Sequence, residues 1–356
     1  MLRKVNRPRG VTQFTPHERC ARSARHFGLA CLLLTTAGAA IADSDPPAPT
    51  APAATVPQQS RDDAWWTGPL LAPNASTFPA GHALVETYVF DVITNGSYDR
   101  SGRWQHLDGG HTPGSLTYLI YGLTDRVSVG LLPRFAYNEP AGSPNSSGVG
   151  VGDVGAQVQY GLTSFHEGSL VPATALVLAE TFPTGRYDRL AQPADGFGAG
   201  AWTTSLSWYS QDYLWLPNGR IVRVRLDLTY AVSSSASVAD TSVYGTSAGF
   251  RGRAHPGDSF TVDAAAEYSL TRRWVLATDL VYVSAASTGL TGSNSAAGAP
   301  TSVNLRSGWS DYFAVAPGVE FNWSSRAGVI LGARIFVAGH NTSASITPAA
   351  AINLVF

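Results

Sequence analysis

Ile221-Val222-Arg223-Val224-Arg225-Leu226-Asp227-Leu228-Thr229-Tyr230 alternates without a break. Successive side chains of a strand point to opposite faces. Val222, Val224, Leu226, Leu228 and Tyr230 therefore share one face, and Arg223, Arg225, Asp227 and Thr229 share the other. An arginine turned toward hydrocarbon near a bilayer midplane costs about 2–4 kcal/mol. The pattern predicts a strand with one side in lipid and the other in a polar lumen. The C-terminal third repeats it. Phe313, Val315, Pro317, Val319, Phe321 and Trp323 oppose Ala314, Ala316, Gly318, Glu320 and Asn322, while Val329, Leu331, Ala333, Ile335 and Val337 oppose Gly332 and Arg334.

Segments of this kind lie near 82–91, 113–121, 126–137, 149–162, 169–181, 199–210, 219–232, 258–270, 273–284, 310–323, 327–338 and 346–356. Each is a weak signal, but twelve in series are the signature of a transmembrane barrel. The expected fold is all-β: an antiparallel up-and-down barrel of about twelve strands with short periplasmic turns and long outer loops. Leu123-Thr124-Asp125-Arg126, Leu270-Thr271-Arg272-Arg273 and Trp323-Ser324-Ser325-Arg326 are short, mutually similar and recur at alternate joins. The intervening joins 92–112, 138–148, 182–198, 233–257 and 285–309 are long and rich in Gly, Ser, Asn and Pro, and only 339–345 is a short outer one. Within 233–257, Val243 to Phe250 is read as a possible extension of the flanking strands. A soluble β-sandwich alternates too, but its strands usually run about five or six residues. The ending Ile352-Asn353-Leu354-Val355-Phe356 makes Phe356 an assembly signal for the barrel-assembly machinery.

The first residues are of another kind. Seven basic residues, from Arg3 to Arg25, precede an apolar run from Phe27 to Ala37 and an Ala40-Ile41-Ala42 site. Charged region, short apolar core and small-residue site make residues 1–42 a secretory signal. Residues 43–81, rich in Pro, Ala, Thr and Gln, are expected to form a periplasmic linker whose last part is ordered against the barrel, since Pro at this density forbids regular pairing. The barrel occupies 82–356. No later stretch is long and apolar enough for a transmembrane helix.

Removing 1–42 leaves 17 basic and 24 acidic residues, a formal net charge of −7. Nucleic acid is excluded as a partner, because phosphate binding wants clustered positive charge. Cys20 and Cys31 both leave with the signal, so no thiol metal site or disulfide remains. Placed by alternation, the lumen-lining residues are Glu86, Arg134, Asp153, Gln157, Gln159, Glu180, Arg223, Arg225, Asp227, Asp263, Glu267, Asp279, Glu320 and Arg334. Such charges either set the selectivity of a pore or brace and occlude a narrow barrel as paired groups. Arg223 and Arg225 repel each other and need acidic partners such as Asp227, Asp263 or Glu267.

No catalytic constellation, cofactor site or metal site is expected. Gly148-Val149-Gly150-Val151-Gly152-Asp153 has no helix after it, which a phosphate loop requires. His82, His106, His111, His166, His255 and His340 are scattered without metal spacing. An outer-membrane hydrolase would need a nucleophile beside a base, and no His-x-Ser-Asn-Gly motif is present. Residues 43–81 are too short for an autotransporter passenger.

Most of 65–356 resembles the MetA-pathway phenol-degradation family of outer-membrane proteins. The resemblance is carried by Thr67-Gly68-Pro69-Leu70, Pro79-Ala80-Gly81-His82 with Glu86-Thr87-Tyr88, Gly122-Leu123-Thr124-Asp125-Arg126, Gly150-Val151-Gly152-Asp153-Val154 and Phe182-Pro183-Thr184-Gly185-Arg186-Tyr187. It implies an outer-membrane channel for a small apolar or aromatic solute, with membrane lipid and the assembly machinery as partners, and it implies no catalytic residues. Tyr98, Trp104, Tyr187, Phe197, Tyr244 and Trp309 in the outer loops are positioned by sequence either to stack on such a solute or simply to pack the loops.

The mature chain should fractionate with the outer membrane and migrate heat-modifiably on gels. Recovery as a soluble periplasmic protein would overturn the barrel. Deleting Phe356 should lower the folded fraction in the membrane.

Overall fold

A computed structural model describes residues 56–296 and 298–356. The signal at 1–42 and residues 43–55 of the linker lie outside the described residues. Twelve strands form the wall: β1 (Ala83–Tyr98), β2 (His111–Thr124), β3 (Val127–Leu132, resumed at Arg134–Ala136), β4 (Val154–Thr163), β5 (Ala173–Phe182), β6 (Thr203–Trp215), β7 (Ile221–Ser233), β8 (Ser259–Ser269), β9 (Trp274–Ala285), β10 (Ser310–Ser324), β11 (Ala327–His340) and β12 (Thr342–Val355). Each pairs antiparallel with the next, and β1 pairs with both β2 and β12, which closes the sheet on itself. Closure extends to the last residue: Phe356 N–H donates to the Ala83 carbonyl at 2.9 Å, and Ala83 N–H donates back at 3.2 Å. The break in β3 falls at Pro133, which has no N–H to give to a ladder.

The two faces of the wall differ as the alternation requires. Leu226 and Tyr230 of β7 are exposed outward, while Arg223, Arg225 and Asp227 are buried inward. Leu206, Leu178, Val158, Leu131, Leu119, Leu331 and Leu280 extend the outward apolar band around the barrel. A band this continuous has no place in water, and the backbone behind it is paired in a closed antiparallel ladder. That combination is what a bilayer permits, so the barrel spans the membrane with its apolar face in lipid. No helix among the described residues is long and apolar enough to cross. Trp202, Tyr230, Phe260, Tyr282 and Trp309 are exposed toward one rim, and Tyr121, Tyr160, Trp274, Trp323 and Phe356 toward the other. These are the positions of interfacial aromatic girdles.

The outer joins are not irregular throughout. Ala236–Ala239, Phe250–His255, Gly289–Asn294 and Thr301–Arg306 form a separate four-stranded antiparallel sheet. Val238, Phe250, Ala254 and Leu290 make its core. The loops 233–257 and 285–309 thus fold on each other. Val243 to Phe250 does not extend the barrel strands: only Phe250 is in a strand, because Asp240 and Gly245, both at positive φ, turn the chain away first. Elsewhere Ser147 donates to Asp195 from its N–H at 2.7 Å and from Oγ at 3.1 Å, tying two loops together and holding that carboxyl below its usual range. The shortest outer join is Asn341 alone, at a φ of 48°.

Replacing the outward Leu226 by Arg should lower the free energy of unfolding from lipid by about 2–4 kcal/mol. Urea titration of the protein folded in phospholipid vesicles reads the difference.

Candidate functional site

The lumen is not empty. After η1 (Arg61–Asp63), the chain from Trp65 to Phe78 crosses inside the barrel before entering β1. For 43–81 the sequence predicts a periplasmic linker with its last part ordered against the barrel; residues 65–78, in that last part, lie against the inward face of the wall. The segment has few side chains suited to the polar lumen, and its backbone donors and acceptors are what the wall binds. Glu320 of β10 accepts from Thr67 N–H at 2.6 Å and Gly68 N–H at 3.2 Å. Asp279 of β9 accepts from the N–H groups of Leu70, Leu71 and Ala72 at 3.0, 3.3 and 2.9 Å. Arg225 donates to the Ala72 carbonyl at 2.6 Å, and Gln159 of β4 donates to those of Asn74 and Ala75 at 3.0 and 3.1 Å. Ser128 of β3 accepts from Phe78 N–H at 2.9 Å. Asn322 donates to the Trp65 carbonyl at 3.1 Å and accepts from Thr67 Oγ1 at 2.9 Å. Backbone groups of an irregular segment must be satisfied when buried, and the inward polar residues of five strands do this. Gly68 sits at a φ of 128°, where a Cβ would also stand 3.6 Å from the Arg225 guanidinium. Leu70 fills an apolar niche formed by Ala277, Ala316, Ile330 and Ala351.

The arginine pair is resolved differently from the simplest expectation. Arg223 lies opposite Glu267 in the β7–β8 ladder and makes a two-pronged ion pair with it. Arg225 faces Ala265, so it reaches diagonally to the same Glu267 at 3.4 Å. Arg223 also stacks on Trp66, 4.8 Å from the ring centre. Asp227 and Asp263 take no part. They lie opposite each other across the ladder, and neither oxygen of Asp227 has a hydrogen-bond partner among the described residues.

The other residues placed in the lumen by alternation divide. Glu86, Arg134, Gln157 and Gln159 line a cavity of about 640 Å³ beside the crossing segment. Glu86 accepts from Asn353 at 3.3 Å. Arg334 lines a smaller cavity of about 230 Å³, which Arg134 also reaches. Asp153 is buried at the rim, where it accepts from Gly185 and Ala199 N–H at 2.9 and 2.7 Å and so anchors the loop between β5 and β6. Glu180 is a correction. In β5 the inward set is Ala175, Val177 and Ala179, while Leu176 and Leu178 are exposed outward. Glu180 shares the outward face, at the outer end of the strand, and accepts from Thr204 Oγ1 at 2.6 Å. Both faces of Ala175-Leu176-Val177-Leu178-Ala179 are apolar, so alternation there carried no sign of which was lipid.

Trp104 is exposed, and the other loop aromatics are held by local contacts. Tyr98 is buried, Tyr187 covers Gly200, Phe197 covers Gly150, and Tyr244 donates to the Ala199 carbonyl at 2.5 Å. Trp309 donates to Ser284 at 2.9 Å. Sequence reasoning missed Ser128, left Asn322 out of the lumen set, and expected the end of 43–81 against the barrel without placing it in the lumen. Asn322 was on the inward face of β10, but nothing local marks it as a partner for residues more than 250 positions away.

No family model matches the chain, and no curated protein matches its sequence. Solved structures do. An outer membrane channel of Pseudomonas putida F1 superposes with a TM-score of 0.59 at 17% identity, covering 80% of this chain and all of that one. The β domain of a Bordetella autotransporter matches at a TM-score of 0.43 and 13% identity, covering 78% of this chain and all of that one. The toluene transporter TbuX of Ralstonia pickettii matches at 0.35 and 10%, covering 83% and 95%. The first of these supports the outer-membrane barrel fold.

Replacing Asp279 or Glu320 by Ala should cost about 3 kcal/mol each, the value of charged hydrogen bonds lost by buried donors. The expected readouts are a lower gel-shift temperature and faster proteolytic cutting between Trp65 and Phe78.

Proposed function

We propose that the protein is a passive outer-membrane channel for small apolar or aromatic compounds, made with a signal removed after Ala42, assembled through its C-terminal Phe356 and belonging to the MetA-pathway phenol-degradation family. The observation that carries this reading is the cavity of about 640 Å³ beside the crossing segment. Its lining runs from Thr181, Thr229 and Thr261 in the outer half to Arg326, Gly328 and Asn353 at the periplasmic end. A path of this kind passes small molecules and rejects bulky ones, because the segment Trp65 to Phe78 narrows the lumen without filling it. Charged wall residues that are already paired, such as Arg223, Arg225 and Glu267, are poor traps for ions and leave neutral solutes free to pass. Leu71, Tyr88, Tyr118 and Ile120 give the same lining apolar and aromatic surface.

A second reading, an occluded structural barrel, is favoured by the number of anchors on the crossing segment. A hydrolase reading has no support in the histidines: the rings of His82, His106, His111, His166 and His340 hydrogen-bond carboxylates or backbone carbonyls, and none of these five bonds a Ser or Thr hydroxyl.

The channel should give small, stable single-channel currents in planar bilayers. Cells carrying it should take up dilute radiolabelled phenol faster than cells lacking it. No current and no difference in uptake would leave the occluded barrel.

A further inference from the structure

The cavity of about 230 Å³ has a composition unlike the rest of the lumen. Tyr88, Phe90, Leu116 and Tyr118 form its wall, with Leu71 of the crossing segment against it. Tyr88 and Tyr118 meet edge to face, with ring centres 6.0 Å apart. Gly114 keeps room for the Phe90 ring, since a Cβ there would come within 2.9 Å of it. Arg134 and Arg334 complete the lining, and no Asp or Glu belongs to it.

Two guanidinium groups without an acid contrast with the barrel's other inward arginines. Arg223 and Arg225 share Glu267. Among the described residues Arg134 and Arg334 have no carboxylate within 4.0 Å. The Nε of Arg334 is buried with no acceptor, while its guanidinium lies 5.3 Å from the centre of the Phe336 ring. That ring in turn stacks on Tyr312 at 4.1 Å. A face held by an aromatic ring leaves the edge of the guanidinium, where its N–H donors are, directed elsewhere. Arg134 is open to the lumen and Arg334 is half-buried, and a small anion entering the cavity supplies the oxygens that the wall does not place beside their N–H donors.

We propose that this cavity is a binding site for the anion of a small aromatic acid, its ring held among Tyr88, Phe90, Leu116 and Tyr118 and its carboxylate by Arg134 and Arg334. This rests on the channel reading above and narrows it: the preferred solute carries a carboxylate as well as a ring. A planar carboxylate matches the fork of an arginine in a two-pronged contact. At about 230 Å³ the cavity is smaller than the roughly 300–1,000 Å³ that suits drug-sized ligands, which favours a single-ring solute. A neutral hydrocarbon would satisfy the apolar wall and leave both guanidinium groups unpaired.

The test is calorimetric titration of the purified full-length barrel at pH 8 with benzoate, benzyl alcohol and acetate. Benzoate should bind at least about tenfold more tightly than either, a difference of about 1.4 kcal/mol. Arg134→Gln and Arg334→Gln should each weaken benzoate about tenfold and leave benzyl alcohol unchanged. Arg134→Lys, which keeps the charge and loses the fork, should fall between. Each variant is first checked for heat-modifiable migration, and Arg134→Lys provides a second reading if a Gln variant fails to fold. Equal binding of benzoate and benzyl alcohol, or Gln and Lys variants that leave benzoate unchanged, would overturn the anion site while single-channel currents leave the channel standing. Absence of current together with absence of any binding would remove both.

Discussion

Hydrocarbon offers no partner to a backbone N–H or carbonyl, and this barrel is organised by that constraint. The sheet has to close, and closure depends on β1. It pairs with β2 along one edge and with β12 along the other, down to the reciprocal hydrogen bonds of Ala83 and Phe356. Once closed, the wall has only two environments. The outward one accepts nothing but apolar and interfacial aromatic side chains. Away from the strand ends, where Glu180 sits outward against Thr204, the charged side chains of the strands are therefore driven inward, into a lumen of limited width.

That concentration of charge needs its own solution. Part of it is local: Arg223 and Arg225 share the carboxylate of Glu267 on the next strand. The rest is met by a segment from outside the wall. Asp279 and Glu320 between them collect five backbone N–H groups of residues 67–72, while Arg225 and Gln159 take three of the segment's carbonyls. The carboxylates are hydrogen-bonded without being matched by cations, and the segment's backbone is buried without forming a strand or helix. Each side removes the other's desolvation cost. The lumen is thereby narrowed to the cavities on either side of the crossing, and the two arginines that this arrangement leaves without acids border one of them.

The strands were legible because a transmembrane wall writes its two faces into every second residue. β7 could be assigned face by face, since Arg223, Arg225 and Asp227 cannot share a side with Leu226 except at high cost. β5 could not, since Val177 and Leu178 are equally apolar, and only the burial of the first showed that Glu180 points outward. The outer loops were read as irregular for a related reason. Phe250–His255 and Gly289–Asn294 alternate too briefly to be recognised as strands, and they become a sheet only by pairing across a gap of tens of residues.

What the sequence determined by itself was the class of fold, the number of strands and, for the strands with charged faces, which way they point, because alternation is a local property and lipid reads it residue by residue. What only the tertiary structure decided was who meets whom inside. The pairing of Glu267 with two arginines, the isolation of Arg134 and Arg334, and the passage of Trp65 to Phe78 through the lumen all join residues distant in the chain. Their geometry is set by strand register and barrel closure, and a one-dimensional pattern contains neither.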